Sequence, residues 1–118
     1  MRCYTKPHQC SCGIDLHART MYLCVVNQDG EIVLHRNRQA GPEPFLKEMA
    51  PYREDRVVSV KCIFIWYGLA DLCTHEGMPV VLGPALSMKA SQGGKAKHDK
   101  LDAQKIAVLL RGGMLPQA

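Results

Sequence analysis

Two aspartates three residues apart, Asp99 and Asp102, are the first residues of this 118-residue chain whose type and spacing could support chemistry. On a helix, residues three apart lie on one face. Asp102 also aligns with Ile106 and Leu110, so it belongs to the inward stripe of a helix predicted over 99–111. Acids are common at helix starts, with Asp99 as an N-cap and Asp102 as a first-turn acid. The pair alone therefore favours helix capping.

Asp15 adds a third carboxylate in an unusual place. It lies in the apolar run Ile14-Asp15-Leu16, within a predicted strand, where aspartate is disfavoured. A buried carboxylate needs a hydrogen bond, an opposite charge or a metal ion. If Asp15 converges with Asp99 and Asp102, the three acids form a site of hard oxygen ligands that suits Mg²⁺ or Mn²⁺. Such sites carry out phosphoryl transfer.

The hydrophobic pattern predicts an α/β domain that would position these acids. Residues 11–36 predict an antiparallel meander of three strands, with a turn at Asn27-Gln28-Asp29-Gly30. Helices and strands then alternate: a short helix near Pro44, a buried strand over 56–62, a helix over 65–76, a strand over 79–82 and the helix over 99–111. The order β-β-β-α-β-α-β-α predicts a mixed sheet flanked by helices.

Positive charge is concentrated late in the chain. The net charge is +4, and one segment holds a cluster of basic side chains: Lys89, Lys95, Lys97, His98, Lys100 and Lys105. Gly, Pro and Ser in the same stretch predict a mobile basic loop over 83–98. Such a stripe attracts phosphate backbones. The alternative is a solvated loop without a partner.

The cysteines and the apolar runs bear on other classes of protein. No secretory signal accompanies the six cysteines, so we expect reduced thiols and a cytoplasmic protein. No apolar stretch reaches the length of about 18 residues that a membrane span needs. Four N-terminal residues could in principle hold zinc, namely Cys3, His8, Cys10 and Cys12. The Cys-x-Cys spacing is, however, too short for a usual zinc finger. This zinc module is the weakest alternative.

Three stretches carry a more specific combination: Cys12–His17, Cys62–Cys73 and Gly93–Ala103. Together they resemble the DEDD transposases of insertion sequences, which are relatives of the Piv and MooV DNA invertases. The resemblance extends from about Tyr4 to the end of the chain. It implies an RNase-H-like (RuvC-like) domain over 10–118 after a tail over 1–9. It also implies insertion-sequence transposition, that is, metal-dependent DNA strand cleavage and exchange.

The resemblance also assigns roles to the acids. In the family, four acids hold two magnesium ions. Asp15 matches the first acid, and Asp99 and Asp102 match the last two. The second is a glutamate at the end of the fourth strand, and this chain has Lys61 there. An ammonium group among the carboxylates would compete with the metal, whereas a lysine pointing to water would leave one ligand missing.

We therefore expect weak Mg²⁺ or Mn²⁺ binding and little or no catalysis. Glu54 lies before the strand and Glu76 at the far end of the next helix, so neither replaces the missing ligand. The resemblance further implies a C-terminal domain with a serine that takes part in strand exchange, and no residue here corresponds to it. A catalytic domain that is inactive as a fragment is the favoured interpretation.

The partners implied by the resemblance are DNA, a structured bridge RNA and further copies of the chain. We expect nucleic-acid contact along the basic loop, at Lys89, Lys95, Lys97 and Lys100. His17 and Arg19 are secondary candidates. Trp66 and Tyr67 could stack on bases, although aromatic residues in an apolar helix are more often core. The alternative function is a non-catalytic nucleic-acid-binding or oligomerising remnant of a transposase, which would need no metal.

Overall fold

The computed structural model describes residues 3, 5–17, 19–52, 55–62, 67–82 and 95–115, without the side chains of 62, 67–70, 82 and 95–99. Its elements follow the predicted order β-β-β-α-β-α-β-α. They are β1 (Cys10–Leu16), β2 (Thr20–Asn27), β3 (Ile32–Gln39), α1 (Pro42–Met49), a 3-10 turn (Ala50–Tyr52), β4 (Arg56–Cys62), α2 (Tyr67–His75), β5 (Val80–Leu82) and α3 (Lys95–Arg111).

The strands form one mixed sheet with the order β3-β2-β1-β4-β5. The first three strands are antiparallel neighbours, whereas β4 runs parallel to both β1 and β5. The β2–β3 turn is the one predicted from sequence. Gly30 has a φ of 83°, a left-handed conformation that favours glycine, and Asn27 Oδ1 accepts the backbone N–H of Asp29 at 3.0 Å.

Alternation along β1 divides the core between the two faces of the sheet. Ile14 and Leu16 point to the face covered by α1, where they join Phe45 and Met49 in the larger core cluster. The other face is covered by α3, which packs across β1, β2 and β4. Asp15 alternates with the apolar residues and therefore belongs to the α3 face.

Gly13 allows α3 to lie directly on the central strand. A Cβ atom at this position would overlap the carbonyl oxygen of Ala103 and lie 2.6 Å from the backbone nitrogen of Ala107. Both obstacles are backbone atoms of α3, so a side chain cannot be accommodated by a change of rotamer. The absence of a side chain at Gly13 therefore sets how closely the helix approaches the strand that carries Asp15.

Helix α3 begins earlier than the sequence predicted. It starts at Lys95 rather than at Asp99, so Asp99 is not an N-cap and Asp102 is not in the first turn. The predicted mobile loop over 83–98 is wrong for residues 95–98, and residues 83–94 lie outside the described part of the chain. The clustered lysines were interpreted as loop, but lysine and alanine are good helix formers and no Gly or Pro follows Gly94 until Gly112.

The far end of α3 is tied to the β2–β3 turn. Arg111 Nε donates to the carbonyl oxygens of Asn27 and Gln28, both at 3.1 Å, and Arg111 Nη2 donates to that of Gln28 at 2.7 Å. One guanidinium thus donates to two turn carbonyls, of which that of Asn27 also accepts the backbone N–H of Gly30 at 3.1 Å. The end of α3 is thereby held against the hairpin of β2 and β3.

The described cysteines are free thiols, and three of them are buried: Cys12, Cys24 and Cys73. Burial raises the pKa of Cys24 and of Cys73 to about 11 and that of Cys12 further. Among the described side chains, no group of three or more His, Cys, Asp or Glu converges as a metal site, and this includes the predicted N-terminal zinc ligands. His8 instead contacts Asp55, with Nδ1 2.6 Å from Oδ1. No described helix is long and apolar enough to cross a bilayer.

These pKa values predict selective alkylation. In the native protein at pH 8, iodoacetamide should modify the part-exposed Cys3 while leaving Cys24 and Cys73 unmodified, because raising a thiol pKa from 9.0 to about 11 lowers the thiolate fraction about a hundredfold. Mass spectrometry before and after urea denaturation measures the difference. Since the raised pKa belongs to the folded state, stability should also fall as the pH rises from 9 towards 11. Rapid native labelling of Cys24 would contradict the packing described above.

Candidate functional site

The candidate site lies where the parallel strands β1 and β4 end side by side. Asp15 and Lys61 are direct partners in the parallel register, and each is the penultimate residue of its strand. Parallel strands bring their carboxyl ends to the same edge of a sheet, which is why residues 46 positions apart in sequence meet here. Asp15 is 2% exposed, so its carboxylate is held almost out of water.

Asp102 completes this corner from α3. Lys61 Nζ donates to Asp102 Oδ2 at 2.6 Å, and Asp102 is only 6% exposed. The Lys61 side chain is itself 23% exposed. The sequence left two orientations open for the Lys61 side chain, and in the structure it points inward to Asp102. The ammonium group is therefore a charged partner of one of the predicted metal-binding carboxylates.

His17 reaches the same corner from the turn after β1. Its Nε2 lies 3.2 Å from Asp15 Oδ1, and its backbone N–H donates to the carbonyl of Thr20 at 2.8 Å. That backbone bond closes the tight connection between β1 and β2 and fixes where the imidazole is placed. His17 was predicted as a secondary nucleic-acid contact, and the structure places it against the buried Asp15.

The described side chains do not fit a two-metal site. A divalent ion needs carboxylate oxygens that it can share with water or substrate, but one oxygen of Asp102 is bonded to an ammonium group. Lys61 also stands where the sequence resemblance led us to expect a glutamate, so the expected donor set loses a carboxylate and gains a positive charge. The third predicted acid, Asp99, is the fifth residue of α3, and its side chain lies outside the described part.

The predicted nucleic-acid contacts are spread over both described and undescribed parts. Lys95 and Lys97 lie in the first turns of α3, without described side chains, and Lys89 and Trp66 lie outside the described residues. Lys100 is exposed on α3, and its carbonyl oxygen is 3.1 Å from His35 Nε2 on β3. Of the four predicted lysine contacts, Lys100 is thus the one whose exposed side chain the structure describes, and Arg19, a secondary candidate, is exposed as well.

Sequence reasoning missed a cluster on the opposite face of the sheet. Arg36 and Arg38 of β3 both reach the carboxylate of Glu48 in α1. The spacing of the two arginines in the sequence indicates their proximity, because Arg36 and Arg38 are separated by Asn37 alone and share one face of an extended strand. The predicted strand ended at residue 36, whereas β3 extends to Gln39, so Arg38 was not recognised as a residue of the same strand.

Comparison with known proteins identifies the family. The model of the DEDD transposase family of the IS110 type, described as transposase, matches residues 12–117. No curated protein matches the chain significantly.

Several solved structures share the fold. Thermus thermophilus RuvC in complex with a Holliday junction substrate has a TM-score of 0.58 at 16% identity, over 94% of this chain and 100% of that one. A second Thermus thermophilus RuvC structure has a TM-score of 0.57 at 16% identity, over 92% and 99%. The large terminase nuclease of thermophilic phage G20c, with bound zinc, has a TM-score of 0.50 at 16% identity, over 98% and 66%. The RuvC-like fold and the family match over residues 12–117 agree, and the chain belongs to the DEDD transposase family.

Proposed function

We propose that this chain is the catalytic-type domain of an insertion-sequence transposase, that its substrate is DNA, and that Lys61 keeps the domain from binding the metal needed for strand cleavage. The ion pair between Lys61 Nζ and Asp102 Oδ2, at 2.6 Å, carries the proposal. It occupies the corner formed by Asp15, Asp102 and the position of the family glutamate.

The charge balance supports the block on metal binding. A lysine in place of a glutamate changes the local charge by two units. With the metal ion about 4 Å from the ammonium group and an effective dielectric constant of about 20, each unit of positive charge on the ion is repelled by about 4 kcal/mol. A divalent ion would therefore have to displace the Lys61 side chain and break its bond to the buried Asp102 before it could bind.

DNA as the partner is supported by the family and by the fold. The family is one of transposases, and a RuvC relative of the same fold was solved with a Holliday junction. The exposed Lys100 lies on α3, the helix that also supplies Asp102. A structured RNA and a homo-oligomer remain part of the proposal because the family resemblance implies them.

Isothermal calorimetry with Mn²⁺ tests the proposal through Lys61→Glu. We expect no measurable binding to the parent chain and at least about a hundredfold higher affinity in the variant, because a repelling ammonium becomes a ligand. Lys105→Glu makes the same charge change at an exposed position of α3 and should bind no better than the parent. Tight Mn²⁺ binding by the parent would contradict the proposed block.

A metal-independent role is the second candidate, and the same ion pair favours it. Because Lys61 already neutralises Asp102, the domain does not need a bound cation to hold this corner together. A non-catalytic remnant would bind DNA in the presence of EDTA, with an affinity that falls as salt rises. If neither the parent nor Lys61→Glu binds Mn²⁺ while both are folded and bind DNA, this candidate replaces the first.

A further inference from the structure

We infer that Arg36 and Arg38, oriented by the buried Glu48, form a contact site for the phosphate backbone of duplex DNA on the edge of the sheet. The inference rests on the proposed function, because it takes DNA as the partner. It concerns a face of the domain that lies away from the corner of Asp15, Lys61 and Asp102.

The two arginines share one carboxylate oxygen. Arg36 Nη1 donates to Glu48 Oε1 at 3.1 Å, and Arg38 Nε lies 3.2 Å from the same atom. Glu48 is only 8% exposed, while the Arg36 side chain is 57% exposed. The carboxylate is therefore an internal anchor from which the Arg36 guanidinium extends outward, whereas the Arg38 side chain is 31% exposed and its Nε is buried.

The cluster carries an excess of positive charge. One carboxylate neutralises one guanidinium, so Glu48 leaves one of the two arginine charges uncompensated within the cluster. Each guanidinium has five N–H donors in a planar fork, and the contact with Glu48 uses only part of that capacity. The remaining donors match the paired oxygens of a phosphate, and the anchor reduces the entropy lost when they bind.

The position of the pair suits an extended anionic partner. β3 is one of the two edge strands of the described five-stranded sheet. Arg36 and Arg38 are two residues apart on it, a spacing of about 7 Å along the strand. Two fixed cationic groups along an exposed edge can follow the backbone of a duplex, whereas a small anion would use only one of them.

The pair lies on the opposite face from the candidate site. Arg38 is the cross-strand partner of Met21, which is buried in the core cluster on the α1 side. Tyr22, the partner of Asp15, belongs to the α3 side. Duplex held by Arg36 and Arg38 would thus be a different segment from DNA placed at Asp15. The domain then has two separate DNA contacts, one on each side of the sheet.

Fluorescence anisotropy with a short labelled duplex, across a KCl series in EDTA, tests this inference on the full chain. For Arg36→Gln/Arg38→Gln we expect the slope of log Kobs against log salt to fall by about 1.8, with affinity about tenfold or more weaker. Lys6→Gln/Lys47→Gln removes the same charge from exposed positions that belong neither to the arginine pair nor to the late basic segment, and it is the matched control. The double variant leaves the buried Glu48 carboxylate without either of its arginine partners. A triple variant that also carries Glu48→Gln removes this buried charge, and circular dichroism verifies that it folds.

Each result has a defined meaning. A reduced slope in the double and triple variants, with the control unchanged, supports the inference. Equal losses in the control would show general charge attraction and would overturn it, as would unchanged duplex binding by folded arginine variants. A loss confined to a structured RNA probe would also overturn the assignment to DNA. If the parent chain itself binds no duplex, the proposed function fails, which is a different outcome from a parent that binds without using these arginines.

Discussion

Gly13→Ala is expected to destabilise the domain by about 3 kcal/mol, at the upper end of the usual cost of overpacking. The added methyl group would clash with the backbone of α3 at Ala103 and Ala107. The backbone atoms of a packed helix cannot relieve the clash by a change of rotamer, as a flexible side chain can. Either α3 moves off β1 or the strand bends. Thermal unfolding followed by circular dichroism should show a midpoint roughly 10 °C lower.

Gly41→Ala is a matched control for this substitution. Gly41 has a φ of 164°, which is extended backbone open to any residue, and its added Cβ would meet only Pro44 Cδ, at an ordinary 3.6 Å. Its midpoint should stay the same or rise slightly, because alanine restricts the unfolded chain. Equal midpoints for Gly13→Ala and the parent would mean that α3 does not lie on β1 as closely as described.

Lys61→Met should cost about 2–3 kcal/mol of stability. The substitution leaves the carboxylate of Asp102, which is 6% exposed, without its ammonium partner. Removing one member of a buried pair costs about 3–5 kcal/mol, and the 23% exposure of the Lys61 side chain reduces the expected loss. Urea unfolding gives the free energy directly.

A double-mutant cycle separates the ion pair from the packing of the lysine stem. Adding Asp102→Asn to Lys61→Met removes the stranded charge, so the double variant should recover most of the lost stability. Lys105→Met, at an exposed position of α3, should change the free energy of unfolding by less than about 0.5 kcal/mol. A Lys61→Met variant as stable as the parent would show that the ion pair contributes nothing.

Much of the fold and part of the site were predictable because their signals are local. Alternation identified β1, and the residue types of Asn27-Gln28-Asp29-Gly30 identified the turn after β2. The helical spacing after Asp102 correctly placed that residue on the inward stripe of α3 with the buried Ile106 and Leu110. The assignment of Lys61 to the position of a family glutamate rests on the resemblance and stays a prediction. The roles of Asp15, Asp99 and Asp102 in metal binding and catalysis stay predictions.

The remaining features depend on contacts between distant segments. Whether Lys61 points to water or to Asp102 is decided by how closely α3 approaches β4, which no local pattern encodes. The carboxylate of Glu48 is matched to Arg36 and Arg38 only once α1 has folded against β3. The start of α3 was misplaced because clustered charge suits both a solvated loop and the exposed first turns of a helix.

The bond between Arg111 and the β2–β3 turn has a consequence for the order of folding. The hairpin forms from neighbouring residues, a process that takes microseconds, whereas Arg111 and Gln28 are 83 positions apart in the sequence. Closing so long a loop costs conformational entropy, and this cost is offset only by the contacts that form when α3 docks on the sheet. We therefore expect the guanidinium to engage the turn late in folding, when α3 docks, and to slow unfolding more than it accelerates folding.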